Sequence, residues 1–237
     1  MDKSAIRMTE LTKKYGEKTA VDHLSLTVND GEMFSLLGVN GAGKTTTIRM
    51  LSCLSAPTSG SAEIFGYDVV KDSDTVKSLV GISTQDTAVA EKLTVEENLR
   101  FMAGIYGKSR EDAERVIDAF GLEGVQRSKA KTLSGGWKRR LSIAMAVIGD
   151  PKVLFLDEPT LGLDVLARRE IWKIIEKLKK KATIILTTHY MEEAEALSDR
   201  IGIMIDGHMV MLGTLAELEA ATGRKGLEEV FIHVAEG

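Results

Sequence analysis

Met33-Phe34-Ser35-Leu36-Leu37-Gly38-Val39-Asn40-Gly41-Ala42-Gly43-Lys44-Thr45-Thr46 is the stretch from which the fold can be read. Five residues of strand character run straight into a glycine-rich loop, and residues 44–54 continue with helical spacing. From Gly38 to Thr45 the loop follows the pattern G-x-x-x-x-G-K-[ST], which is that of a phosphate-binding loop. Its glycines put no Cβ in the way, so consecutive backbone N–H groups can turn inward on a β-phosphate. Lys44 is placed to reach the β- and γ-phosphates as a mobile charge. The Thr45 hydroxyl can take one site on magnesium, and the helix N-terminus behind it adds partial positive charge.

Outward from this loop, short aliphatic runs alternate with helical patterns, the arrangement of an α/β fold with a parallel sheet. Residues 153–156 and 183–188 read as further buried strands. Between them, residues 165–178 form an amphipathic helix with Ile171, Ile174, Ile175 and Leu178 on one face, ending at Lys179-Lys180-Lys181. The middle of the chain is helical without strands. Thr94-Val95-Glu96-Glu97 is a capping box opening a helix to about residue 105. Ser109 caps the next helix, with Ala113, Val116, Ile117 and Phe120 as its apolar stripe and Gly121 at its end. A helical subdomain, about 86–148, is therefore inserted into the α/β core. Near the end, residues 201–205 and 208–212 flank Asp206-Gly207, a two-residue hairpin signal.

Val153-Leu154-Phe155-Leu156-Asp157-Glu158 is an apolar strand that ends in two acids, at the edge where open α/β sheets bind ligands. One carboxylate can hold magnesium while the other polarises an attacking water; Asp157 takes the first role and Glu158 the second. His189 follows the strand 183–188 in the same way, where an imidazole can hydrogen-bond a γ-phosphate. Leu133-Ser134-Gly135-Gly136 precedes another helix, 137–148, and presents N–H donors to an anion as the first loop does. Either the chain binds two anions, or this element of one copy completes the loop of another.

Composition narrows the field. The net charge is −4, and no stretch gathers enough Lys and Arg to follow a phosphodiester backbone, so nucleic acid is not an expected partner. No apolar run approaches the roughly 18 residues of a membrane span, and the first residues lack the apolar segment of a secretory signal. The single cysteine, Cys53, cannot form an internal disulfide, which suits a reducing cytosol.

Together these residues resemble the nucleotide-binding subunit of ATP-binding-cassette (ABC) transporters over essentially the whole chain. Residues 38–45 match that family's Walker A loop, with Thr46 beside it, and 153–158 its Walker B strand with the catalytic glutamate. Residues 133–136 match the signature, Leu161-Gly162-Leu163-Asp164 the D-loop and His189 the switch histidine. Gln85 matches the loop glutamine that touches magnesium, and Tyr15 the aromatic that stacks on adenine. The resemblance implies a P-loop NTPase cassette with a RecA-like core, an N-terminal antiparallel β region and the inserted helical subdomain. Its ATP-binding domain would span 1–220, with 221–237 a short C-terminal tail.

The resemblance further implies ATP and Mg2+ as ligands, ATP hydrolysis, and a head-to-tail dimer with a second ATP-binding subunit around two ATP molecules. It also implies a separate transmembrane permease subunit and a cytoplasmic location, peripheral on the inner face of the cell membrane. Within the family, the stretches 93–107, 191–199 and 227–231 are most similar to single-cassette subunits of the multidrug and antibiotic-resistance export branch. Trp137 departs from the pattern, since the fifth signature position is most often glutamine. Other classes fit less well. Soluble ABC proteins usually carry two cassettes or a long coiled-coil insertion, and the chain has no Asn-Lys-x-Asp guanine-reading element.

Overall fold

A computed structural model describes residues 4–236. Two long strands, β1 (Ser4–Tyr15) and β2 (Lys18–Asn29), pair antiparallel, and β3 (Met33–Leu37) leads into the glycine loop and α1 (Lys44–Leu51). Then come β4 (Ser59–Ile64), β5 (Tyr67–Asp68), α2 (Ser73–Leu79) and β6 (Val80–Ser83). The helices α3 (Val95–Ile105), α4 (Arg110–Ala119) and α5 (Gly135–Val147) separate β6 from β7 (Val153–Asp157). The chain continues through α6 (Val165–Leu178), β8 (Thr183–Thr188), α7 (Met191–Leu197), β9 (Arg200–Ile205) and β10 (His208–Gly213). Helices α8 (Leu215–Thr222) and α9 (Leu227–Glu236) complete it.

Two sheets result. One is antiparallel in the order β2-β1-β4-β5; the other runs β10-β9-β3-β8-β7-β6 and is parallel except for the edge strand β10. Every residue of β3, β7 and β8 is buried, as expected for strands covered on both faces. The period of two sorts their side chains. Phe34, Leu36, Phe155 and Ile185 pack with α1 and the antiparallel sheet, whereas Met33, Leu154, Leu156, Ile184 and Leu186 pack with the helices α3, α5 and α6.

The inserted subdomain starts at the expected capping box. Thr94 Oγ1 accepts from Glu97 N at 3.1 Å, and Glu97 Oε2 accepts from Thr94 N at 2.7 Å. The last hairpin turns as its sequence requires, with left-handed φ at Asp206 (47°) and Gly207 (85°). Three boundaries differ from the sequence reading. Helix α1 stops at Leu51, shortly before Cys53 turns left-handed at φ 60°, and α5 begins at Gly135, with Ser134 in the N-cap position but making no side-chain cap bond, rather than at Trp137. Residues 221–237, read as a tail, contain α9. Its Leu227, Val230 and Phe231, spaced as one helical face, pack against Leu37, Ala194, Ile201 and Leu218.

Candidate nucleotide site

Four adjacent parallel strands, β3-β8-β7-β6, end at the same sheet edge, and each delivers one element of the site. Pairing of Leu37 with Thr188, Asp157 with Thr187 and Ser83 with Leu156 keeps those ends level. Beyond them stand Gly38, His189, the pair Asp157–Glu158 and Gln85. The loop needs its glycines: a Cβ on Gly43 (φ 106°) would lie 2.5 Å from the Ala20 carbonyl oxygen, and one on Gly38 2.4 Å from that of Met204.

Lys44 is buried in this arrangement. Its ammonium donates to the carbonyls of Gly38 (2.6 Å) and Val39 (3.3 Å) and pairs with Glu158 Oε1 at 3.2 Å. Thr45 Oγ1 donates to Asp157 Oδ1 at 3.1 Å, so two of the three expected magnesium ligands already face each other. Glu158 is a non-glycine residue at φ 50°, a conformation found mainly where surrounding structure enforces it. Here the enforcing bonds run from its N–H to the Thr187 carbonyl and to Thr187 Oγ1, both at 3.1 Å. The bend swings the carboxylate under the loop, where its second oxygen, Oε2, accepts from His189 Nδ1 at 2.6 Å.

A cavity of about 330 Å³ opens over the loop, lined by Tyr15, Gln85, Glu158 and residues 40–46 together with Lys18 and Ala20. Tyr15, the last residue of β1 and about half exposed, thus meets the loop from the antiparallel sheet. Ser134 and Gly135 are exposed at the start of α5, and neither they nor Gly136 line this cavity. The structure therefore assembles all the expected site residues except the signature segment.

Two contributors escaped the sequence reading. Thr187 Oγ1 donates to Asp157 Oδ1 at 2.5 Å while accepting from Glu158 N, so one hydroxyl aligns both acids. Its signal was a polar residue inside a fully buried strand. Arg139, buried on α5, donates to the carbonyls of Thr84 (2.7 Å) and Gln85 (2.6 Å) and so holds the glutamine loop against the signature helix. Burial lowers its pKa, opposed first by the nearby Asp157. Nothing in the local sequence distinguished it from its neighbours Lys138 and Arg140.

No group of three or more His, Cys, Asp or Glu suited to a metal occurs among the described residues. Thr45 Oγ1 and Asp157 Oδ1, 3.1 Å apart, offer the hydroxyl and carboxylate oxygens that magnesium commonly takes beside substrate phosphates. A parallel sheet that presents a glycine loop, a buried lysine and adjacent acids at one edge defines a phosphate-loop nucleotide hydrolase.

Residues 21–161 match the family described as ABC transporter. The chain is 43% identical over 224 residues to the daunorubicin/doxorubicin resistance ATP-binding protein DrrA of Streptomyces peucetius, covering 92% of this chain and 68% of that one. A solved ATP-binding subunit of an ABC transporter superposes with a TM-score of 0.88 at 30% identity, covering 98% of this chain and 100% of that one. A dimeric ATP-binding cassette in a post-hydrolysis state with ADP and Pi gives a TM-score of 0.80 at 27% identity, covering 89% and 98%. The chain belongs to the ABC transporter family, as an ATP-binding and ATP-hydrolysing subunit.

Proposed function

We propose that this chain powers export by closing, head to tail with a second ATP-binding subunit, on two ATP molecules. The observation that carries the reading is the separation of the two anion-binding elements. The loop at 38–45 has its own cavity, while Ser134–Gly136 stands outside it with Ser134 and Gly135 exposed, and a second subunit joins one to the other. Val165 and Leu166, the first residues of α6 after the D-loop, are 64% and 77% exposed and give that contact an apolar component. The dimeric cassette with ADP and Pi offers a precedent for the arrangement.

In this reading the loop amides and Lys44 bind the phosphates, and Tyr15 stacks on the adenine. Thr45, Asp157 and Gln85 would hold Mg2+, which supplies charge neutralisation on the phosphate oxygens. Before ATP binds, Lys44 occupies one oxygen of Glu158 and His189 the other. Transfer of Lys44 to the phosphates releases Oε1, and that oxygen takes the proton of the attacking water. His189 keeps the carboxylate aimed and donates toward the terminal phosphate when Glu158 shifts.

No helix of the described residues is long and apolar enough to cross a membrane. The reading assigns the passage itself to a separate permease subunit and places this chain on the inner face of the membrane. Phe101 and Ile105, each 61% exposed on α3 beside Tyr106, suit such a docking. Export as the direction rests on likeness to a resistance protein.

The test is Glu158→Gln, which removes the base and keeps the shape. With Mg-ATP it should elute from size exclusion as a dimer, and as a monomer without nucleotide. A monomer under both conditions, with ATP shown to be bound, would remove the sandwich.

A further inference from the structure

Glu193 lies in the first turn of α7, four residues after His189, and its side chain is fully buried. A carboxylate so placed is costly unless its bonds repay the loss of water. One oxygen, Oε1, accepts from Thr160 Oγ1 at 2.8 Å and from Trp172 Nε1 at 2.9 Å. The other, Oε2, makes no hydrogen bond of good geometry, although the Thr188 hydroxyl, on the strand just before His189, also acts on this carboxyl and opposes the effect of burial. Thr160, equally buried, lies within the turn that the Leu161 N–H closes on the Glu158 carbonyl, and Trp172 lies on α6, which follows Asp164. A single oxygen thus joins three segments: the turn after Glu158, the helix after the D-loop, and the helix after His189.

A second contact runs parallel to the first. The His189 and Tyr190 rings lie 4.1 Å apart, and the Arg168 guanidinium sits 4.2 Å from the Tyr190 ring centre. Arg168 and Trp172 are four residues apart, on one face of α6. That helix therefore grips the His189 segment at two successive turns. Burial raises the Glu193 carboxyl above its ordinary range, in the same direction as the charge of Glu158 nearby.

We propose that Glu193 is a positioning residue for ATP hydrolysis, holding the Glu158 turn and the His189 segment in one fixed relation to α6 through Thr160 and Trp172. It touches neither ATP nor the water and acts only by placing Glu158 and His189. The proposal rests on the assignment of those two residues to the chemistry. Purely structural packing would not call for a buried acid here, because an apolar side chain fills such a space with no desolvation cost. What the acid adds is an acceptor for two donors arriving from different elements.

The experiment measures kcat, KM and ATP affinity for the wild type, Glu193→Ala, Glu193→Gln and Trp172→Phe, with thermal melts of each. Misplacing the pair by a fraction of an ångström is expected to lower kcat roughly 10- to 100-fold in Glu193→Ala, with ATP affinity within about threefold of wild type. Glu193→Gln keeps an acceptor oxygen for both donors and should restore kcat to within about threefold. Equal losses in affinity and kcat, a folded Glu193→Ala with normal kcat, or a Gln variant no better than Ala would each overturn the proposal. Should Glu193→Ala fail to fold, Trp172→Phe decides: it keeps an aromatic ring, though a smaller one, removes one donor, and must lower kcat at unchanged affinity. A wild type without ATPase activity would instead overturn the assignment of Glu158 and His189.

Discussion

Lys44 has three partners before any phosphate arrives: two loop carbonyls and Glu158. A buried ion pair of this kind stabilises little by itself, but removing one member leaves the other charged and dry. Lys44→Ala should therefore act twice. It removes a charge-assisted contact to the phosphates, weakening ATP binding roughly 10- to 100-fold, and it leaves the buried Glu158 Oε1 without its cation, with only His189 on the other oxygen, lowering the melting temperature of the ATP-free protein. Titration calorimetry and a thermal melt read the two effects separately; affinity within a few-fold of wild type would detach this lysine from the ATP site. Glu158→Gln differs in kind, since it should keep ATP affinity and lose turnover. The roles of these residues were legible because motif and context coincide in a few consecutive positions. Thr187, Arg139 and Glu193 were not, because each acts through a partner tens of residues away, and no local pattern records such a meeting.

Among the elements, those with a clean period were readable. Strand β8, helix α6 and the capped start of α3 fall where alternation, spacing and caps place them. The long strand β1 gave no such pattern, although the second half of β2 alternates cleanly from Leu24 to Asn29. The pairing of the two shifts register at four places, so inward and outward residues do not alternate strictly along β1. Helix α5 carries the clearest element-level prediction. Trp137, in its first turn, is half-buried against the subdomain core, with the Arg140 guanidinium 4.6 Å from its ring. It is neither fully exposed nor a sealed core anchor, so a facing subunit has surface left to cover. In the Glu158→Gln variant, Mg-ATP should weaken acrylamide quenching of Trp137 and shift its emission to the blue, both in proportion to protein concentration. Trp172, half-buried and bonded to Glu193, should contribute a constant background. Quenching indifferent to ATP would place Trp137 away from the subunit contact, and Trp137→Phe identifies which indole reports.

At the scale of the whole molecule, the site is a product of sheet order. The strands β3, β8, β7 and β6 come from both halves of the chain, and only their parallel, level pairing brings Gly38, His189, Glu158 and Gln85 to one edge. The same architecture limits how far this protein can be shortened in the laboratory. Cutting at residue 220 looks harmless if residues 221–237 are a mere tail, but α9 is the lid of the third apolar cluster. Leu227, Val230 and Phe231 each stabilise by about 1.5–3 kcal/mol when buried, and a domain holds only about 5–15 kcal/mol in all. A chain ending at Thr222 would bare Ala194, Ile201 and Leu218 and should precipitate on expression or melt well below the parent, whereas one ending at Ala235 should not. Such a cut would also free the α7 carboxylate Glu195 that receives the Leu227 N–H. Fusion tags, reporters and cleavage sites therefore belong after the final helix, not before it.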